Sequence, residues 1–136
     1  MEKPNAMEQQ SYYITLGSGE CDRQISNRPL AVNCAGACIL KKSFTTDNLR
    51  GREDFYLQYL VSGEMNVLID GKPCKMSGGD VVVYYPHTHY RYENLTEGVR
   101  YYWVHFTGSE AQALCAECGL ENARIYNAGL HDRLVS

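Results

Sequence analysis

The feature that most constrains this chain is the punctuation between Phe55 and Phe106. "FYLQYLV" runs into Ser62-Gly63-Glu64, "MNVLI" runs into Asp70-Gly71, "VVVYY" stands between Gly78-Gly79-Asp80 and Pro86, and "YRYE" and "VRYYWVHF" follow. Each run is rich in β-branched and aromatic residues, which suit a pleated, half-buried surface. Asp-Gly tolerates the positive φ that a two-residue hairpin demands, so Met65 to Ile69 and the run after Gly71 are expected to pair antiparallel. Proline cannot donate to a ladder, and Pro86 ends the strand before it. Parallel strands need crossovers of a dozen or more residues, and these connections are too short. The pattern predicts an all-β domain, a jelly roll or small barrel of roughly six to eight antiparallel strands.

The flanks extend this reading. "YYITL" (12–16) and "LAVNCAGA" (30–37) are expected to be strands, and the polar first eleven residues a flexible arm. In "SEAQALCAECGL" the period changes: Ser109 can cap a helix, Ala111, Leu114 and Cys115 or Cys118 form an apolar stripe, and Gly119 ends it. "ARIYNAGLHDRLVS" reads as the start of another helix with no stop signal, so the chain is expected to continue past Ser136. The expected division is a barrel over 1–107, then a short helix and the start of a linker over 108–136.

A chain of 136 residues makes one domain. At 44% hydrophobic, with eleven tyrosines, it is too apolar to be disordered. Its net charge of −3 and lack of any Lys/Arg cluster make these residues a poor partner for nucleic acid. The opening "MEKPNAMEQQ" has no apolar signal region, and no run is long enough to span a bilayer, so a cytoplasmic protein without membrane contact is expected. In that compartment the six cysteines are expected to be free thiols. Neither the Cys34/Cys38 pair nor the CxxC of Cys115 and Cys118 carries the glycines of a zinc knuckle. There is no Gly-x-Ser-x-Gly elbow and no phosphate-cradling loop, so the sequence gives no support for a catalytic nucleophile or a cofactor.

Metal binding is the sharper alternative. If extended, His87 and His89 point the same way about 7 Å apart and could chelate an ion with His105 or Glu93. A catalytic zinc takes three protein ligands, however, and the neighbouring run "YLVSGEMNVLID" holds no histidine. The pair is expected to be polar groups of a loop, with no bound metal.

Alternation along "VRYYWVHF" puts Tyr101, Trp103 and His105 on one side and Tyr102, Val104 and Phe106 on the other. Together with Tyr90 and Tyr92, the first set offers a flat aromatic wall and a few rigid polar groups. A saccharide, with apolar C–H faces and hydroxyls in fixed directions, needs both.

Three blocks carry a resemblance: Arg52-Glu-Asp54-Phe-Tyr56-Leu-Gln-Tyr59 running on to Gly63-Glu-Met, then Gly79-Asp80-Val-Val-Val-Tyr-Tyr-Pro86, then Tyr102-Trp103-Val-His105-Phe106-Thr-Gly108. In this order and spacing, over roughly residues 30 to 130, they resemble the amino-terminal cupin domain of AraC-type transcription regulators. The resemblance implies a β-barrel that binds a small effector, often a sugar. It also implies a helical segment that makes a homodimer, and a carboxy-terminal helix-turn-helix pair, absent here, through which alone DNA is bound. It implies loss of the metal-binding histidines of the cupin enzymes, with the histidine position of the second block nearer Tyr90 than His89. It places Trp103 where a tryptophan stacks on the sugar, Tyr92 where a hydroxyl donates, and Arg52, or Arg50, near a ligand-binding arginine. Tyr101 stands where the sugar-binding case has a histidine. The expected ligand-binding set is Arg52, Tyr92, Tyr101, Trp103 and His105. A cupin enzyme, an isomerase or dioxygenase, and a structural interaction module are the competing classes.

Overall fold

At the turn between "MNVLI" and "KPCKM", Asp70 and Gly71 both have positive φ, 49° and 76°, and Ile69 pairs with Lys72. This is the hairpin geometry that Asp-Gly favours. The computed structural model describes residues 7–13 as backbone, and residues 22–41 and 44–130 in full. The strands are β1 (Met7–Tyr13), β2 (Ala31–Leu40), β3 (Thr45–Asn48), β4 (Phe55–Ser62), β5 (Met65–Ile69), β6 (Lys72–Met76), β7 (Asp80–Tyr84), β8 (Tyr90–Asn94) and β9 (Val99–Thr107). A helix, α1 (Ala111–Glu117), and a last strand, β10 (Ile125–Asn127), follow.

All pairings are antiparallel and form two sheets, one ordered β1-β2-β9-β4-β7-β10 and the other β3-β8-β5-β6. They pack as a jelly roll. Leu40, Leu60, Met65, Val67, Met76, Val82 and Val99 are fully buried between them. The other face of the larger sheet carries Phe55, Val83 and Phe106, against which Ala111 and Cys115 of α1 pack.

Gly119 ends α1 as its sequence predicts. With φ of 76°, it donates to Ala116 O while Leu120 N donates to Cys115 O, the paired bonds of a Schellman turn. Ser109 does not cap the helix. Its hydroxyl and its amide both donate to Arg28 O, and the cap position falls on Glu110, which makes no side-chain cap bond. Of the expected stripe, Ala111 and Cys115 are buried, whereas Leu114 and Cys118 are exposed.

Two further expectations differ from the structure. Residues 7–11, read as a flexible arm, lie in β1 and pair with β2, so the first strand starts earlier than "YYITL"; residues 14–16 of that run lie outside the described residues. "RIYN" does not open a helix. Ile125 pairs with Val82 and Asn127 with Asp80, Gly79 O accepts from both Ala128 N and Gly129 N, and Tyr59 donates its hydroxyl to Gly129 O. The edge of β7 offered more backbone partners than an isolated short helix could. Residues 131–136 lie outside the described residues. No described helix is long and apolar enough to cross a membrane.

Candidate functional site

Strand β9 alternates as its sequence predicts. Tyr101, Trp103 and His105 are buried between the sheets, while Val104 and Phe106 face α1. In register, Trp103 lies beside Gln58 and His105 beside Tyr56, so β4 turns Tyr56 and Gln58, with Asp54 just before the strand, to the same interior and Phe55 and Leu57 outward. Polar residues point in and apolar residues point out, the reverse of an ordinary half-buried strand. From the opposite sheet β8 contributes Tyr90 and Tyr92, both buried. The Tyr92 and Tyr101 rings meet edge to face at 6.2 Å, as do those of Tyr92 and Tyr56.

A chain of hydrogen bonds crosses this interior. Tyr84 donates its hydroxyl to Gln58 Oε1 at 2.9 Å, Gln58 Nε2 donates to the Tyr56 hydroxyl at 3.1 Å, and the Tyr56 and Tyr92 hydroxyls lie 3.2 Å apart. Tyr101 hydrogen-bonds with Tyr92 and Cys38. Burial, reinforced by neighbouring tyrosines, raises the pKa of Tyr56, Tyr84 and Tyr101, so these hydroxyls stay protonated and can donate.

At one end of the chain sits a buried ion pair. Arg52 Nε donates to Asp54 Oδ1 at 2.7 Å, and Asn33 Nδ2 donates to Asp54 Oδ2 at 2.8 Å. Asp54 is 0% exposed. Burial raises its pKa, against the hydrogen bonds from Arg52 and Asn33. Burial also works against the charge on Arg52, but the hydrogen bond and attraction of Asp54, with Asp22 adding to them, outweigh it and hold the guanidinium firmly charged.

His105 leans on both halves of the site, its ring centroid 4.4 Å from Tyr56 and 4.9 Å from Trp103. Burial, helped by the Arg52 charge, pushes its pKa down to about 3. The imidazole is therefore neutral at pH 7, and its 3.9 Å approach to Asp54 is not an ion pair. Its Nδ1 is buried without a hydrogen-bond partner.

The structure thus brings all five expected residues, Arg52, Tyr92, Tyr101, Trp103 and His105, into one interior cluster. Arg50 is exposed on the loop before it. The sequence reading missed Asn33, Asp54, Tyr56 and Gln58. For the last three the period-2 polarity of "DFYLQ" was a usable signal. Asn33 had none, because it stands at a register shift in β2 between Val32 and Cys34.

The histidine pair lies elsewhere. His87 has φ of 60°, so the stretch is not extended, and the two side chains take separate exposed partners, Glu53 at 3.6 Å and Asp47 at 2.7 Å. Tyr90, not His89, points inward. Among the described residues, no group of three His, Cys, Asp or Glu side chains is placed to hold a metal ion. Among the described residues no cysteine forms a disulfide; Cys34, Cys38 and Cys115 are buried and Cys118 is exposed. A separate cavity of about 530 Å³ opens on the α1 side of the larger sheet, lined by Phe55, Tyr85, His87, Thr88, Ser109 and Gln112 among others. Its loop is tied to the site, since His87 N donates to Arg52 O at 2.8 Å.

Solved structures share this fold at low identity. A cupin domain of an XRE family transcriptional regulator from Enterobacter cloacae is 14% identical with a TM-score of 0.53, over 74% of this chain and 96% of that one. A cupin 2 conserved barrel domain protein from Salinispora arenicola is 15% identical with a TM-score of 0.54, over 83% and 86%. KdgF from Halomonas sp. is 17% identical with a TM-score of 0.54, over 78% and 82%. No curated protein sequence matches the chain. The AraC-like ligand binding domain family matches residues 41–135. With a cupin fold and most of its length inside that match, the chain belongs to the AraC-like ligand binding domain family, whose members bind small-molecule effectors.

Proposed function

We propose that this chain is the effector-sensing part of an AraC-family transcription regulator, and that its effector is a small saccharide or saccharide derivative held between the two sheets. In this reading Trp103 stacks on the sugar face, and Arg52, Tyr92 and Tyr101 hydrogen-bond its hydroxyls, with His105 accepting or donating through a neutral ring. The observation that carries it is the inward-facing polar and aromatic cluster on β4, β8 and β9. A core built for stability alone would be apolar, because buried polar groups add stability only when paired. Here a buried imidazole nitrogen lacks a partner.

The domain is a binder and not an enzyme in this reading. Among the described residues the buried acid is held by Arg52 and Asn33, and burial keeps the Tyr56, Tyr84 and Tyr101 hydroxyls protonated, which suits holding a ligand better than moving its protons. The regulator works as a homodimer in the cytoplasm, and DNA is bound by a helix-turn-helix domain outside this sequence. The chain itself, at net charge −3, has no affinity for duplex DNA. The test is a saccharide screen read by the fluorescence of Trp103, the chain's one tryptophan. A saturable change with at least one saccharide is expected. Binding that is equal in Arg52→Ala, Tyr92→Phe and Trp103→Leu proteins that still fold would move the effector out of the interior, with the cavity beside His87 as the next place to look.

A further inference from the structure

The CxxC of α1 has no part in the interior site, and its two thiols stand in unlike surroundings. Cys115 is 3% exposed and packs with Ala111 on Phe55, Val83 and Phe106 of the larger sheet. Cys118, the residue that ends the helix, is exposed. Both nevertheless line one apolar groove of about 260 Å³, with Phe106, Leu114 and Leu120 around them. Residues three apart on a helix are neighbours on its surface, with Cα atoms about 5 Å apart, inside the window that a disulfide spans. Their Cβ atoms, about 5 to 6 Å apart in a regular helix, must close to about 4 Å. The position of Cys118 suits that movement. It stands past Glu117, the last residue of α1, with Cys118 N donating to Leu114 O at 3.0 Å, and the chain turns away at Gly119 with φ of 76°. Cys34 and Cys38, the other close pair in the sequence, lie four residues apart on β2, about 13 Å in an extended strand, and cannot be joined.

We propose that Cys115 and Cys118 form a redox modification site, a dithiol that a small organic disulfide such as oxidised glutathione converts to an intramolecular disulfide. The order of events follows from exposure. The Cys118 thiolate attacks one sulfur of the oxidant, forming a mixed disulfide and releasing one small thiol. Cys115 then gives its proton to solvent and attacks the Cys118 sulfur, closing the protein disulfide and releasing the second small thiol. Two protein thiols are oxidised and one small disulfide is reduced to two thiols. Burial, reinforced by Cys118, raises the Cys115 pKa, so Cys115 does not compete for the first attack. Its later attack is intramolecular, and the high effective concentration of a neighbour in the same groove offsets its weak ionisation. In a reducing compartment the dithiol is the resting form. The site is independent of the saccharide reading, since it lies on the outer face of the sheet and uses none of the residues given to the effector.

The experiment treats the whole chain, first kept reduced, with oxidised glutathione, blocks the remaining thiols and cleaves with trypsin. Cleavage after Arg100 and Arg124 releases residues 101–124, which hold Cys115 and Cys118 and no other cysteine. The expected peptide is lighter than its reduced form by two hydrogens, carries no blocking group, and gains two after reduction. In Cys115→Ala, checked for folding by its melting temperature, the closing step is lost, and the same peptide should accumulate one glutathionyl group on Cys118. The parent peptide should hold several-fold less of that adduct, and Cys118→Ser should show neither product. A parent peptide that keeps both thiols at every oxidant concentration would overturn the proposal, and this measurement needs no variant. So would an adduct on Cys118 that accumulates equally in the parent and in Cys115→Ala, or a Cys118 disulfide to another cysteine or to a second chain.

Discussion

Tyr56 and His105 face each other across β4 and β9, ring centroids 4.4 Å apart, and the imidazole is held neutral inside the barrel. Protonating it there requires a charge in a site that already holds Arg52. His105 has its folded-state pKa lowered from 6.5 to about 3. The unfolded chain therefore takes up a proton that the folded chain refuses, and stability is lost as pH falls from about 6.5 toward 3. The raised pKa of Asp54 has the opposite sign over the range just above its ordinary value and offsets part of this loss. Melting temperature should fall through that window and fall less in His105→Gln. An identical acid profile for the two proteins would show that His105 is not the group responsible.

Asp54 should matter more to stability than any exposed acid. Removing one partner of a buried pair leaves the other uncompensated, at a cost of about 3 to 5 kcal/mol, and Arg52 is the partner left behind. Asp54→Ala should approach that loss in denaturant melts, while Asp54→Asn, which keeps an acceptor oxygen, should lose less. Glu121, whose ion pair with Arg124 at 3.0 Å is exposed, gives the contrast. Its alanine variant should lose far less than Asp54→Ala, because an exposed ion pair is screened by solvent.

Gly51 holds the loop before the site against the loop that carries His87. Its φ is +74°, and an added Cβ would lie 2.5 Å from both Thr88 N and Thr88 O. Neither backbone atom can yield without moving the loop. Gly51→Ala should cost about 2 kcal/mol or more, the left-handed penalty plus the clash. Gly71→Ala, with a similar φ of +76° and open space around it, should lose less. A Gly51→Ala protein as stable as the Gly71→Ala protein would contradict the packing described.

The cysteines separate by burial. Cys118 should react quickly with a thiol reagent in the native state, and Cys34, Cys38 and Cys115 slowly, with burial raising the thiol pKa of Cys38 and Cys115. In denaturant all six thiols of the chain should be counted. A count of four would reveal a disulfide and a different compartment.

What the sequence disclosed follows its local signals. The hairpin at Asp70-Gly71, the stop at Gly119 and the inward side of "VRYYWVHF" were legible because each rests on one turn residue or one period. The edge strands β3 and β10 were not legible. "TTDN" and "IYN" are too short and polar to show a pattern and exist because Glu93 and Val82 offer backbone partners far along the chain. The five expected site residues meet inside the barrel, yet the groups that fix them do not share one local pattern. Asn33 reaches Asp54 only through a shift in β2's register, and Asp22 reaches Arg52 across thirty residues of chain.

The most direct test of the central claim, that the effector lies between the sheets, is ligand titration of Arg52→Ala, Tyr92→Phe and Trp103→Leu beside the parent chain. Trp103→Leu removes the fluorophore, so affinity is measured by calorimetry. Losing a hydrogen bond to a charged group costs about 1.5 to 3 kcal/mol, hence roughly tenfold or more in affinity, and a neutral hydroxyl costs less. The account predicts folded variants that all bind more weakly, with Arg52→Ala losing more than Tyr92→Phe. Affinities equal to that of the parent chain in all three would contradict it.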